Sequence, residues 1–90
     1  MMGQPAQRKT DVNNAGAKIA GVTDNRVFVN SLLLSTDGSS VEDHLLHINV
    51  TTDNGSSTVK SGGISVNRTG DNDSCGHTRV GGSTNVNVGG

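Results

Sequence analysis

Ninety residues leave room for one domain spanning residues 1–90, near the lower limit for a self-supporting hydrophobic core. Apolar residues make up 30% of the chain, Phe28 is its only aromatic, and the formal net charge is −1. Scattered basic residues and the lack of a stacking platform exclude a nucleic-acid surface, and no apolar run approaches the ~20 residues of a membrane span.

One cysteine cannot form an internal disulfide, so the usual staple of a small domain is missing. The start, Met1-Met2-Gly3-Gln4, has no signal-peptide core, which places synthesis and assembly in the cytoplasm. The abundance of Gly, Asn, Ser, Thr and Val suits either a disordered polar chain or a β-rich fold of small residues and many turns. Valine-rich alternation favours the β fold, because β-branched side chains pack well on a pleated surface.

In chain order, the first element is Arg8-Lys9-Thr10-Asp11, which is echoed much later by Arg68-Thr69-Gly70-Asp71. Val27-Phe28-Val29-Asn30 follows, with Val27 and Val29 on one strand face. Its echoes are Val86-Asn87-Val88-Gly89 and, more weakly, Val59-Lys60-Ser61-Gly62. Copies on this scale indicate one supersecondary unit reused within the fold. Ser40 to His47 reads as the one helical turn, with Ser40 as cap and Asp43 as the acid three residues on. Ile48-Asn49-Val50 and Ile64-Ser65-Val66 alternate as strands do. Asn54-Gly55, Gly62-Gly63, Thr69-Gly70-Asp71 and Gly81-Gly82 are turn signals, since Gly and Asn tolerate positive φ. Strands of four to six residues between tight turns are expected.

The chemistry concentrates in two pairs, His44-x-x-His47 and Cys75-x-His77, which hold every histidine and the only cysteine. Three imidazoles and one thiolate form a closed tetrahedral set for Zn²⁺, with iron the alternative metal. On a helical turn, His44 and His47 would share a face. Individually, each residue is better read as a surface histidine or a small buried thiol; jointly, with none left over, they point to a metal.

Four protein ligands leave no open position for a reactive water. Cys75 and His77 as a thiol–base dyad lack an orienting third group or an oxyanion element. The chain is therefore read as a structural protein and not an enzyme. Asp71-Asn72-Asp73 lacks the glycine and bidentate Glu of a calcium loop and reads as a turn. Arg8 and Arg68 are expected to pair with Asp11 and Asp71.

Taken together, several of these segments resemble the PAAR-repeat family. Pro5-Ala6-Gln7-Arg8-x-x-Asp11 is similar to that family's Pro-Ala-Ala-Arg signature followed by Gly-Asp. Gly63 to Asp71 resembles its recurrent Gly-x-Pro-x-Ala-Arg-x-Gly-Asp element. Ser74-Cys75-Gly76-His77 with Gly81 to Val86, and Asp24 to Ser31, resemble two further stretches. The later copy lacks the proline and second alanine of the signature. Val12-Asn13-Asn14-Ala15-Gly16 stands where many relatives carry a histidine. Residues 32 to 58 carry little of the resemblance.

The resemblance implies a small conical β-rich fold with a sharp apex. It implies a metal near the tip, typically zinc, with Cys75 and His77 matching the family's C-terminal ligand segment. The implied partner is a trimeric spike of the VgrG or phage central-spike type, bound by one copy per trimer. The implied work is capping and sharpening the spike of a contractile phage tail baseplate or type VI secretion system, with transient envelope contact.

Two physical points agree with it. A tapering tip has little interior, which suits small residues. A metal joining residues 44–47 to 75–77 is worth on the order of 10 kcal/mol, against roughly 3–5 kcal/mol for so small a core. Three related strand-turn units also offer a pseudo-threefold to a threefold partner. The end at Gly90, with no toxin domain following, favours a phage particle slightly over an effector-loaded tip. The alternative is a small zinc-binding adaptor unrelated to spikes.

Overall fold

The computed structural model describes residues 3–23, 26–43 and 48–89. Among these residues the chain is all-β, in nine short antiparallel strands and no helix. The strands are β1 (Gln4–Pro5), β2 (Ile19–Gly21), β3 (Phe28–Val29), β4 (Leu32–Leu33), β5 (Ser40–Val41), β6 (Val50–Thr51), β7 (Lys60–Ser61), β8 (Ile64–Ser65) and β9 (Asn87–Val88). They run two or three residues, shorter than the four to six expected, because a turn or crossing to another segment follows almost at once.

The expected helix at Ser40 to His47 is not formed at its start. Ser40–Val41 is the middle strand of the β2-β5-β6 sheet, facing Thr51 and Val50. Val41 is buried there, and a strand lets it pack against Val50 where a helical turn would point it elsewhere. Glu42 and Asp43 are not helical either, and Asp43, expected as the capping acid, accepts Asn49 N–H instead (3.2 Å); His44 to His47 lie outside the described residues.

Backbone hydrogen bonds divide the chain into three equivalent units. The echoed valine segments open them. Val27 C=O accepts from Leu34 N–H (2.9 Å), Val59 C=O from Val66 N–H (3.1 Å), and Val86 C=O from Ala6 N–H (2.9 Å). Each unit then has a two-stranded sheet: β3–β4, β7–β8, and β9–β1. Two of these are hairpins whose turn residues both have positive φ, Asn30-Ser31 (54°, 66°) and Gly62-Gly63 (59°, 82°). That is the backbone of a type I′ turn, which matches strand twist. The third sheet is closed by the two chain ends, with Gln4 opposite Val88 and Pro5 opposite Asn87.

After its sheet, each unit passes through a central residue and makes a tight turn. The central residues Gln7, Ser35 and Asn67 form a closed ring. Gln7 N–H donates to Asn67 C=O (3.1 Å), Asn67 N–H to Ser35 C=O (2.9 Å), and Ser35 N–H to Gln7 C=O (2.9 Å). The flanking bridges Ala6↔Arg68, Arg8↔Leu34 and Thr36↔Val66 repeat the same cyclic order. A second ring closes further along: Asn14 N–H to Thr78 C=O (2.9 Å), Glu42 N–H to Lys18 C=O (2.9 Å), and Ser74 N–H to Thr51 C=O (2.7 Å). Two rings with the same handed order define a pseudo-threefold relating the units.

The interior is layered along that arrangement. On the hairpin side of the first ring, Ala6, Leu34 and Val66 form an apolar cluster with Val29 and Val88. Beyond it come Gln7, Ser35 and Asn67, all buried and polar, with Ser35 Oγ donating to Asn67 Oδ1 (2.6 Å). Ile19, Thr52 and Arg79 occupy the next equivalent positions, and all are buried. The layer after that is Asn13, Val41 and Asp73. A second small apolar cluster, Ala17, Val41 and Val50 with Cys75 against it, lies at the end away from the hairpins.

Candidate metal centre

With the units numbered by their central residues, Gln7 in the first, Ser35 in the second and Asn67 in the third, Cys75 and His77 sit on the turn that ends the third unit. Asp73 N–H donates to His77 C=O (2.8 Å) and Gly76 N–H to Asp73 C=O (2.9 Å), with Gly76 at φ 92°. Glycine at 76 answers the need for a left-handed residue in a five-residue reversal. The first unit has a sister turn over Asn13–Ala17. There Asn13 N–H donates to Ala17 C=O (3.0 Å), Gly16 N–H donates to Asn13 C=O (2.9 Å), and Gly16 has φ 83°. Cys75 and His77 thus occupy the positions of Ala15 and Ala17, ligand types set on a turn the scaffold already uses.

The turn brings the thiol and imidazole together: Cys75 Sγ lies 3.3 Å from His77 Nδ1. Metal–ligand lengths of about 2.3 Å for sulfur and 2.0–2.1 Å for nitrogen, at a tetrahedral angle, place two such atoms about 3.5 Å apart. The observed pair is within a few tenths of an ångström of that separation, so these two residues fit one edge of a zinc tetrahedron. Nδ1 would then be the ligating nitrogen of His77.

His44 and His47, the other half of the expected set, lie outside the described residues. The arms that lead to them do not. Val41 and Val50 both belong to the cluster against which Cys75 packs. Two residues separate Val41 from His44 and His47 from Val50, a chain span of at most about 11 Å over the three steps on each side. In the second unit, Val41 and Val50 stand at the same end of the molecule as Cys75. Among the described residues, no group of three or more His, Cys, Asp or Glu side chains gathers as a metal site.

Beneath the turn is a polar core that sequence patterning did not reveal. Arg79 Nη1 and Asp73 Oδ2 form a fully buried ion pair at 2.9 Å. Arg79 also donates to Gln7 Oε1 (3.1 Å) and to the Asp11 carbonyl (2.7 Å), and Asn13 Nδ2 donates to Asp73 Oδ2 (2.8 Å). Burial pulls the Arg79 pKa down, and the Asp73 charge pushes back. Asp73 therefore does more than the turn formation expected of it. The one sequence hint was an acid and a base six apart across a glycine turn.

The expected pairs near the repeat turns are present. Asp11 Oδ2 accepts Arg8 N–H (2.7 Å) and Nε–H (2.9 Å), and Oδ1 accepts from Nη2 (3.0 Å). Asp71 repeats this with Arg68 at 2.7, 3.2 and 2.9 Å. In both, the hydrogen bond to the carboxylate raises the arginine pKa. A third, unforeseen copy is Thr36 to Ser39, where Ser39 Oγ accepts Thr36 N–H (3.2 Å). Ser39 N–H returns to Thr36 C=O (3.1 Å), as Asp11 and Asp71 return to their arginines.

No protein-family model matches the chain, and no curated protein matches it significantly.

Proposed function

We propose that this protein is the tip of a contractile injection spike, a structural protein of the PAAR type rather than an enzyme. Its hairpin end docks on a trimeric spike of the VgrG or phage central-spike kind. Its opposite end carries a structural zinc, or iron, held by Cys75 and His77 together with His44 and His47. The metal stiffens the end where the apolar cluster is smallest. The assembled tip belongs to a phage tail baseplate or a secretion spike and makes only passing contact with the target envelope.

The observation that carries this reading is the pair of cyclic hydrogen-bond rings, which gives one chain three equivalent faces. A single chain with pseudo-threefold order suits a threefold partner bound at one copy per trimer, because each partner subunit then meets an equivalent surface. The hairpin end offers Leu32 and Ile64 at equivalent positions, the first half-buried and the second exposed. Co-expression with the trimeric spike protein of the same particle, followed by native mass spectrometry, tests the reading. One copy per three spike chains is expected. A 3:3 assembly, or no association, rejects it.

A further inference from the structure

The two sister turns are matched in backbone but not in how their first side chain is used. In the first unit, Asn13 Oδ1 accepts the amides of Ala15 (2.9 Å) and Ala17 (3.0 Å), locking the turn from within. The residue at that place in the third unit is Asp73, the first residue of the turn that carries Cys75 and His77. Its Oδ2 is held by Arg79 and Asn13, while its Oδ1 is buried without a hydrogen-bond partner. An orphaned buried carboxylate oxygen is costly and calls for a reason. We infer that Asp73, anchored by Arg79 and Asn13, is the positioning residue of the Cys75–His77 pair, its free Oδ1 being the acceptor that receives the turn amides when the pair holds a metal.

The inference rests on the reading that Cys75 and His77 bind a metal. Groups that orient ligands without touching the ion typically alter affinity 10- to 100-fold. Here the anchor runs through the buried pair to Gln7 in the first ring, so the turn is referenced to the centre of the molecule. The sister turn shows an asparagine oxygen accepting both turn amides.

Cobalt(II) is the probe, since thiolate-to-cobalt absorption reports the geometry at sulfur, and chelator competition reports affinity. The double variant Asp73→Ala with Arg79→Met removes both charges, so that neither is left buried alone. It is expected to bind cobalt about 10- to 100-fold more weakly and to shift the thiolate band. Asp73→Asn made together with Arg79→Met, which keeps an oxygen at Oδ1 and leaves no charge buried alone, is expected to stay within a few-fold of the parent in affinity and to keep its spectrum. Asp11→Ala, which removes a turn clamp elsewhere, is the control for general destabilisation and should lower the melting temperature with the cobalt spectrum unchanged.

Parent-like affinity and spectrum in the Asp73→Ala double variant overturn the inference. So does a loss in Asp11→Ala equal to that of the double variant. If the Asp73→Ala double variant does not fold, Asp73→Asn and Asp73→Ser, each made together with Arg79→Met, decide: retention in the first with a band shift in the second supports the inference, and equal behaviour overturns it. Failure of the parent protein to bind cobalt at all removes the metal reading itself, a result distinct from these.

Discussion

Arg79 is the residue on which the interior turns. Its equivalents in the other units are Ile19 and Thr52, so an arginine stands where the pattern tolerates an apolar or small side chain. Removing one member of a buried ion pair leaves the other charged and unsolvated, which typically costs about 3–5 kcal/mol. Arg79→Ala should therefore lose about that much unfolding free energy in urea titration. The double variant with Asp73→Ala should lose less than the sum of the two single changes. Additive losses would show that the pair is not coupled. Nothing in hydropathy or periodicity announces such a residue, because a lone arginine in a valine-poor stretch reads as surface. By contrast, Arg8 with Asp11 and Arg68 with Asp71 were legible, since each pair is three residues apart and the motif occurs twice.

The repeated turn shows which residue its geometry asks for. Thr10, Gly38 and Gly70 occupy one equivalent position, with φ of 81°, 88° and 97°. Glycine adopts that conformation freely, whereas a β-branched residue is strained there, at a cost of order 1–3 kcal/mol. Thr10→Gly should thus stabilise the protein by about 1 kcal/mol, the strain relieved being partly offset by unfolded-state entropy. Gly70→Ala should destabilise it by a similar amount. Both are read from the urea midpoint, and a destabilised Thr10→Gly would count against the equivalence. The third turn escaped the sequence because its words differ while its backbone does not. Thr36 and Ser39 are buried, with Thr23 Oγ1 hydrogen-bonded to Thr36 Oγ1, so the space an Arg-Asp fork fills elsewhere is closed. Introducing Arg at 36 and Asp at 39 to restore the repeat should therefore lower, not raise, the melting temperature. Asn54-Gly55, read as a turn for positive φ, owes its glycine to a different cause. A Cβ at Gly55 would lie 2.8 Å from the Val66 carbonyl oxygen.

At the scale of the molecule, the two ends are built differently, and removal of the proposed metal should show it. The first ring and the cluster of Ala6, Val29, Leu34, Val66 and Val88 involve no candidate ligand. Among the described residues, the cluster at the opposite end holds Ala17, Val41 and Val50 with Cys75 against it. A chelator should thus lower overall stability and deprotect amides around residues 73–77 first. Hydrogen exchange at Gln7, Ser35 and Asn67 should remain slow until global unfolding. Simultaneous loss of all protection would show that the metal holds the whole fold. At the other end, Leu32→Asp combined with Ile64→Asp should abolish association with a trimeric spike while leaving metal content unchanged; undiminished binding would move the docking surface elsewhere.

The sequence by itself determined the β class, the small-residue interior, the three valine echoes, two of the three repeat turns and the inventory of His and Cys residues, because each is a matter of composition or local spacing. Only the tertiary structure decided that Ser40–Val41 is a strand, that a third unit hides in Thr36 to Ser39, and that the chain ends supply the third sheet. It alone set Cys75 and His77 on a turn anchored by a buried arginine. Those outcomes depend on contacts between residues from about ten to more than 80 positions apart, where local preference is silent and the closing of hydrogen-bond rings decides.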